Sequence, residues 1–255
     1  MSTSYVQQNQ PPGVPPLALT GERTLPDVPE ENYWYRRHVV VYRWVAERCR
    51  NLRVVDLACG EGYGSALLAE NAKHVFGVDA NPEAYEHARL KYEGSNVSFR
   101  RALVEEFEED APYDAIVFLQ TIEHVEDPHG LLEQLASRLD LQGIAYISTP
   151  NRRTLAPRGA DRSDNPWHVR EYDSREFRDL LESHFRSVEL RGVFHAGKLR
   201  LHEIALRLGW DRLHPALRIT DRFYGRFVPA ISERDFVLRS HNLEQALDFV
   251  AVCHR

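Results

Sequence analysis

Two rhythms of apolar residues divide this chain. Short apolar runs at Arg53–Leu57, His74–Asp79, Val97–Arg100, Tyr113–Leu119 and Gly143–Thr149 predict strands. Between them, apolar positions recur at helical spacing and predict helices at about Ser65–Asn71, Pro82–Tyr92 and Gly130–Leu139. Pro82 suits a first helical turn, where its missing N–H has no partner to lose, and Asn81 before it suits an N-cap. Strand–helix alternation of this kind predicts right-handed βαβ units around a parallel sheet with helices on both faces, a Rossmann-like α/β fold. Ligands of such sheets bind beyond the carboxyl ends of the strands.

The flanks differ. Residues 1–19 are rich in Gln, Pro and Ser and predict a disordered or draped tail. Thr20–Asp27 is polar but specific, with charge, Gly and Pro close together. Trp34, His38, Val41, Val45 and Cys49 then repeat at helical spacing, so a helix is expected over about Glu31–Arg48, within an N-terminal lid segment at 20–50. A helix at Ser174–Ser183 and strands at Val188–Phe194 and Leu247–Cys253 complete the ligand-binding domain, 51–194 plus 243–255. Residues 195–242 are too long and too apolar for a bare loop, and predict a mostly helical insertion that covers the substrate.

Composition narrows the partners. With 43% hydrophobic residues the chain is globular, and a net charge of −6 argues against a duplex nucleic-acid binder. Cys49, Cys59 and Cys253 are scattered and odd in number, which suggests neither a disulfide nor a zinc framework. No basic–apolar leader and no membrane-length apolar run is present, so a cytoplasmic protein is expected.

The chemistry centres on Asp56-Leu57-Ala58-Cys59-Gly60-Glu61-Gly62. A glycine turn between strand and helix lets a ligand close against bare backbone and meet unpaired N–H groups. Asp79, one βα unit later, offers a carboxylate to the two hydroxyls of a ribose. Both features point to a nucleoside-bearing cofactor, NAD or S-adenosylmethionine. The glycine spacing fits the dinucleotide fingerprint badly. Asp56 favours S-adenosylmethionine, since a carboxylate there can orient the loop or reach an ammonium group that NAD lacks.

This stretch resembles motif I of class I S-adenosylmethionine-dependent methyltransferases, and Asp79 matches the acid ending their second strand. Tyr113–Pro128 resembles the fourth-strand region of the ubiquinone-biosynthesis-like (type 11) branch, and Pro150-Asn151 also fits. The resemblance implies a seven-stranded methyltransferase sheet whose last strand is antiparallel. Thr20–Asp27, Asn32–His38, Asn165–Glu171 and Gly192–His195 resemble actinobacterial methyltransferases acting on saccharides, such as the mycobacterial 1-O-methyltransferase of methylmannose polysaccharide synthesis. Two positions depart from the family: Ala58 replaces a usual Gly, and Leu103 replaces an acid that reaches adenine. Backbone and apolar walls near Ala102–Val104 must then hold that ring.

The expected cofactor contacts are Asp56, Ala58, Gly60, Gly62, Asp79, Ala80, Leu103, Val104, Gln120 and Arg37. Arg36, Arg37 and His38 read either as a solvated helix face or as part of the lid. Candidate catalytic groups are His124 and its neighbour Glu123, just past the end of the fourth strand, and His168 in the loop after the fifth. Each histidine also has a plain structural reading as a loop residue. Tyr33, Trp34, Trp167 and Arg170 are candidate substrate contacts, because an aromatic face stacks on sugar C–H groups. Glu123, His124 and His168 also suit a divalent metal such as Mg²⁺ by ligand type, although no local spacing supports it. The acceptor stays open between a saccharide or oligosaccharide and a small quinone, phenol or amine. A cofactor-binding protein without chemistry, and an NAD oxidoreductase, also stay open.

Overall fold

The computed structural model describes residues 5–21, 23–107, 112–157 and 160–255. Five strands run parallel: β1 (Arg53–Leu57), β2 (His74–Asp79), β3 (Val97–Arg101), β4 (Tyr113–Leu119) and β5 (Leu139–Pro150). Beyond β5 lie β6 (Ser187–His195), β7 (Phe236–Arg239) and β8 (Asp248–His254). The sheet order is β3-β2-β1-β4-β5-β8-β6-β7, with β8 antiparallel to both β5 and β6. The switch in order between β1 and β4 opens a crevice at the carboxyl ends of these strands.

The central strands are apolar on both faces because both faces are covered. One core packs α1 (Asn32–Ala46), α2 (Tyr63–Ala69) and α3 (Pro82–Tyr92) on the sheet through Val41, Val45, Leu68 and Ala88. The other packs α4 (Pro128–Arg138) and α6 (Ser174–Glu182) through Leu131, Leu135, Phe177 and Leu181, and the short α5 (Arg152–Leu155) lies between these two helices in sequence. Asn81 caps α3 as expected, accepting from the Glu83 and Ala84 amides. A capping box of Asp173 and Glu176 starts α6.

Among the described residues the sheet has eight strands where seven were expected. The additional one, β7, lies inside the 195–242 insertion and pairs antiparallel with Gly192–His195 on the sheet edge. Four residues among turn-formers carry too little alternation to be read as a strand. The rest of the insertion forms α7 (Gly197–Arg207), α8 (Trp210–Ala216) and α9 (Thr220–Phe227). Because β6 runs parallel to β5, the insertion springs from the ligand end of the sheet.

Residues 5–19, read as a disordered or draped tail, take the draped form. Val6 bridges Ala18, and Leu17, Leu25 and Val28 bury together. The fastening point is Glu61, in the glycine-rich turn. Its carboxylate accepts from Gln7 Nε2 at 3.0 Å, Lys91 Nζ at 2.7 Å and Tyr92 OH at 3.0 Å, and pairs with His87 Nε2 at 2.9 Å. Burial alone would raise this carboxyl's pKa, but the His87 bond, the Lys91 charge and bond, and the Gln7 bond together hold it below its ordinary value. Gln7 Nε2 also donates to Pro26 O, and Gln7 Oε1 accepts from the Leu17 amide.

Candidate active site

A cavity of about 620 Å³ lies at the carboxyl ends of β1, β2, β4 and β5. That volume falls in the range of small-molecule and cofactor sites, ~300–1,000 Å³. Its floor is the turn after β1, where backbone shape dominates. Ala58 (φ 55°), Gly60 (φ 57°) and Gly62 (φ 95°) all take left-handed conformations. A Cβ on Gly62 would lie 2.7 Å from Ala88 Cβ, so only glycine lets α3 pack there. Ala58 holds its conformation at a strain of about 1–2 kcal/mol. Asp79 governs the turn: Oδ2 accepts from the Gly60 amide at 2.8 Å and Oδ1 from the Asn81 amide at 2.9 Å. Each oxygen keeps a second lone pair, and the residue lines the cavity.

Asp56 lies behind this turn rather than in the cavity wall. It is fully buried and accepts from Ser65 Oγ at 2.7 Å and Tyr42 OH at 3.2 Å. Burial raises its pKa from 3.8 to about 7, against the lowering effect of those two bonds. The folded state therefore holds this proton more tightly than the unfolded chain does. Its stabilising effect is whole below about pH 4 and is lost as pH rises through about 7, at most ~4 kcal/mol. Asp56→Asn should flatten the decline of the melting temperature between these pH values. An unchanged slope in the variant would assign the effect to other groups.

On the far wall, β4 ends in Gln120 (φ 53°), whose amide and side chain both bond Ser148 Oγ, and in a 3-10 turn at Ile122–His124. Glu123 is buried there; Thr149 Oγ1 donates to its Oε2 at 3.1 Å, and burial lifts its pKa to about 8. The Val169 and Arg170 amides donate to the Glu123 carbonyl, which binds the 163–171 loop to the turn. His124 Nδ1 lies 2.8 Å from Trp167 O. A carbonyl only accepts, so Nδ1 carries a proton and donates this bond. His168, with its ring 5.1 Å from that of His124, is engaged at both nitrogens: Nδ1 with Glu171 Oε1 at 2.8 Å and Nε2 with Asn165 Nδ2 at 2.9 Å. Glu123, His124 and His168, grouped above by ligand type alone, bring ligand atoms within 4.8 Å of one another.

Comparison with known proteins decides the family. A methyltransferase-domain model matches residues 33–199. The chain belongs to the methyltransferase family. It is 36% identical over 250 residues to a probable S-adenosylmethionine-dependent methyltransferase of Mycolicibacterium smegmatis, covering 94% of this chain and 95% of the relative. It is also 39% identical over 108 residues to a ubiquinone biosynthesis O-methyltransferase of Xylella fastidiosa, covering 41% and 44%. A crystal structure of an S-adenosylmethionine-dependent methyltransferase from Thermotoga maritima, described as a possible histamine N-methyltransferase, shares the fold. Its TM-score is 0.60 at 17% identity, over 88% of this chain and 94% of that one. The protein is a class I methyltransferase, and S-adenosylmethionine is its cofactor.

In this methyltransferase the cavity gathers Ala58, Gly60, Asp79, Ala80, Gln120, Arg37, Trp34, Glu123, His124 and His168 from the expected set. Others lie elsewhere. Gly62 packs on α3, and Leu103 is 49% exposed past the end of β3. Val104 packs on the second core, so neither it nor Leu103 walls the cavity. Tyr33 turns away to bond His195 Nε2 at 2.8 Å, and His195 lies 3.6 Å from Glu203, which ties α1 to α7. Trp167 is exposed and offers only its carbonyl to His124, while Arg170 stacks over Tyr172.

Sequence reasoning expected a lid over 20–50 but named none of the residues that precede its helix as site contacts. Gly21, Arg23 and Thr24 close over the cavity beside His38 and Tyr63. Thr24 Oγ1 bonds Tyr63 OH at 2.9 Å and His38 Nδ1 at 3.2 Å. Burial lowers the His38 pKa to about 4, so its ring is neutral near pH 7. Arg37, expected as a cofactor contact and read with Arg36 and His38 as either a solvated face or part of the lid, is buried and forks onto Asp248 of β8 and Leu247 O. The signal was the dense polar character of Thr20–Asp27. No helical periodicity could have told an inward arginine from an outward one.

Proposed function

We propose that this enzyme transfers a methyl group to a hydroxyl of a saccharide or glycan precursor, with His124 as general base. The observation carrying this reading is the Trp167 carbonyl on His124 Nδ1, which sets the orientation of the ring in the cavity wall beside Glu123 and His168. The cofactor supplies a methyl group on a positively charged sulfur. Asp79, with the Gly60 and Asn81 amides set around it, would hold the ribose; Gln120 and Arg37 would face the methionyl end. Holding acceptor oxygen, methyl and sulfur in line is worth about 7–11 kcal/mol. As the acceptor oxygen bonded the methyl carbon, the carbon–sulfur bond would break with its electron pair going to sulfur, which leaves as a neutral thioether, and the oxygen's proton would pass to His124. Glu123, its carboxyl protonated up to about pH 8, would donate a hydrogen bond to a neighbouring acceptor group.

Three of the four stretches that resemble saccharide methyltransferases supply cavity residues: Arg23 and Thr24, Trp34 to His38, and Asn165 with His168. This polar and aromatic lining supports a polyhydroxylated acceptor over a quinone, and the similarity to the ubiquinone enzyme spans fewer than half the residues of either chain.

The grouping of Glu123, His124 and His168 supports a second reading, a divalent cation that would bind the acceptor hydroxyl directly. Glu171 would then orient the His168 ring. A methyl-labelling assay with methylated manno-oligosaccharides, phenols, quinones and amines, run in EDTA and then with added Mg²⁺ or Mn²⁺, separates these readings. The expected result is label in the saccharide with activity retained in EDTA. Loss in EDTA with rescue by a cation moves the catalytic role to the metal. Label only in a phenol, quinone or amine overturns the saccharide reading, and no label in any acceptor supports a binding protein.

A further inference from the structure

The three insertion helices hold their aromatic residues together and turn their leucines outward. Phe223 and Phe227 pack on His202 at ring distances of 6.1 and 4.8 Å, and Trp210 meets the Phe223 ring edge-on at 5.1 Å. Among the residues of these helices only Leu199 is buried. Leu201, Ile204 and Leu208 follow one another at three- and four-residue spacing along α7 and its C-cap, and Leu213 and Leu217 do so on α8. Their exposure is 69%, 45%, 84%, 50% and 55%. Five large aliphatic side chains at helical spacing on adjoining helices, all solvent-exposed, form an unpartnered apolar face.

Charge identifies the occupant. Residues 197–227 carry Lys198 and six arginines against Glu203, Asp211 and Asp221, in a chain whose net charge is −6. A second copy meeting this face across a two-fold axis would set positive surface against positive surface. Exposed leucines among arginines instead fit an anionic bilayer, where side chains enter the acyl boundary and guanidinium groups meet lipid phosphates. No helix among the described residues is long and apolar enough to cross a membrane, so the attachment is peripheral.

We propose that α7 and α8 dock the enzyme reversibly on an anionic lipid surface. This inference goes beyond the acceptor reading and does not rest on it. The insertion springs from the ligand end of the sheet, so a docked enzyme would work at the membrane surface.

The test is co-sedimentation of the full chain with vesicles of phosphatidylcholine alone and vesicles that also contain phosphatidylglycerol. Binding is expected only with phosphatidylglycerol and should fall in high salt. The double variant Leu208→Asp, Leu217→Asp should weaken binding by about tenfold or more. Both positions are exposed, so its affinity for S-adenosylhomocysteine should match wild type and report intact folding. Equal partition onto both vesicle types, no binding to either, or undiminished binding by the folded variant overturns the proposal. A dimer in light scattering that the variant dissolves, with no vesicle binding, assigns the face to a second copy instead.

Discussion

His124→Ala should lower kcat by about 10²–10⁴-fold while affinity for S-adenosylhomocysteine stays within a few-fold of wild type. That range corresponds to about 3–5 kcal/mol of barrier. Removing the ring deletes the proposed general base, but it touches neither Asp79 nor the turn after β1. His124→Gln, which keeps a donor toward the Trp167 carbonyl, should be equally slow, because an amide is no base at neutral pH. His168→Ala is expected to behave differently. Both of its nitrogens are bonded within the 163–171 loop, so the loss should appear as a lower melting temperature together with weaker turnover. Near-normal kcat in His124→Ala would remove this residue from proton transfer.

Asp79→Ala should weaken S-adenosylhomocysteine binding by about 10²-fold or more, measured by calorimetry. Hydrogen bonds to a charged group contribute about 1.5–3 kcal/mol each, and this carboxylate serves two backbone amides and, in the proposed complex, a ribose diol. The variant removes both direct contacts with the sugar and the bond that fixes Gly60. Asp79→Asn should fall between, since one amide oxygen replaces two charged acceptors. Binding by Asp79→Ala within threefold of wild type would mean that the ribose is held elsewhere and that Asp79 serves the loop alone.

Much of this architecture was legible in the sequence because burial on both faces leaves an unmistakable record. Val54, Val55 and Leu57 in β1 and Ala115 to Leu119 in β4 are continuous apolar runs ending at turns, and the glycine spacing after β1 exposes the ligand end. What stayed hidden depends on distant chain. Asp56 reads as a cofactor contact until Tyr42 and Ser65 are seen to enclose it. That Asp248 of the last strand holds the Arg37 guanidinium cannot be read from the helix that carries it. The juxtaposition of His124 with His168 requires β5 and the following loop to return over the β4 end. β7 is fixed by its pairing with β6, not by its own four residues.

The contact between Gln7 and Glu61, 54 residues apart, sets the order in which this chain can mature on the ribosome. Gln7 emerges early, yet its seat also needs His87, Lys91 and Tyr92 of α3, which are synthesised later. Until α3 exists, the Glu61 site that holds Gln7 lacks three of its partners. The contact between Gln7 and Glu61 is thus completed only after the second βα unit is made.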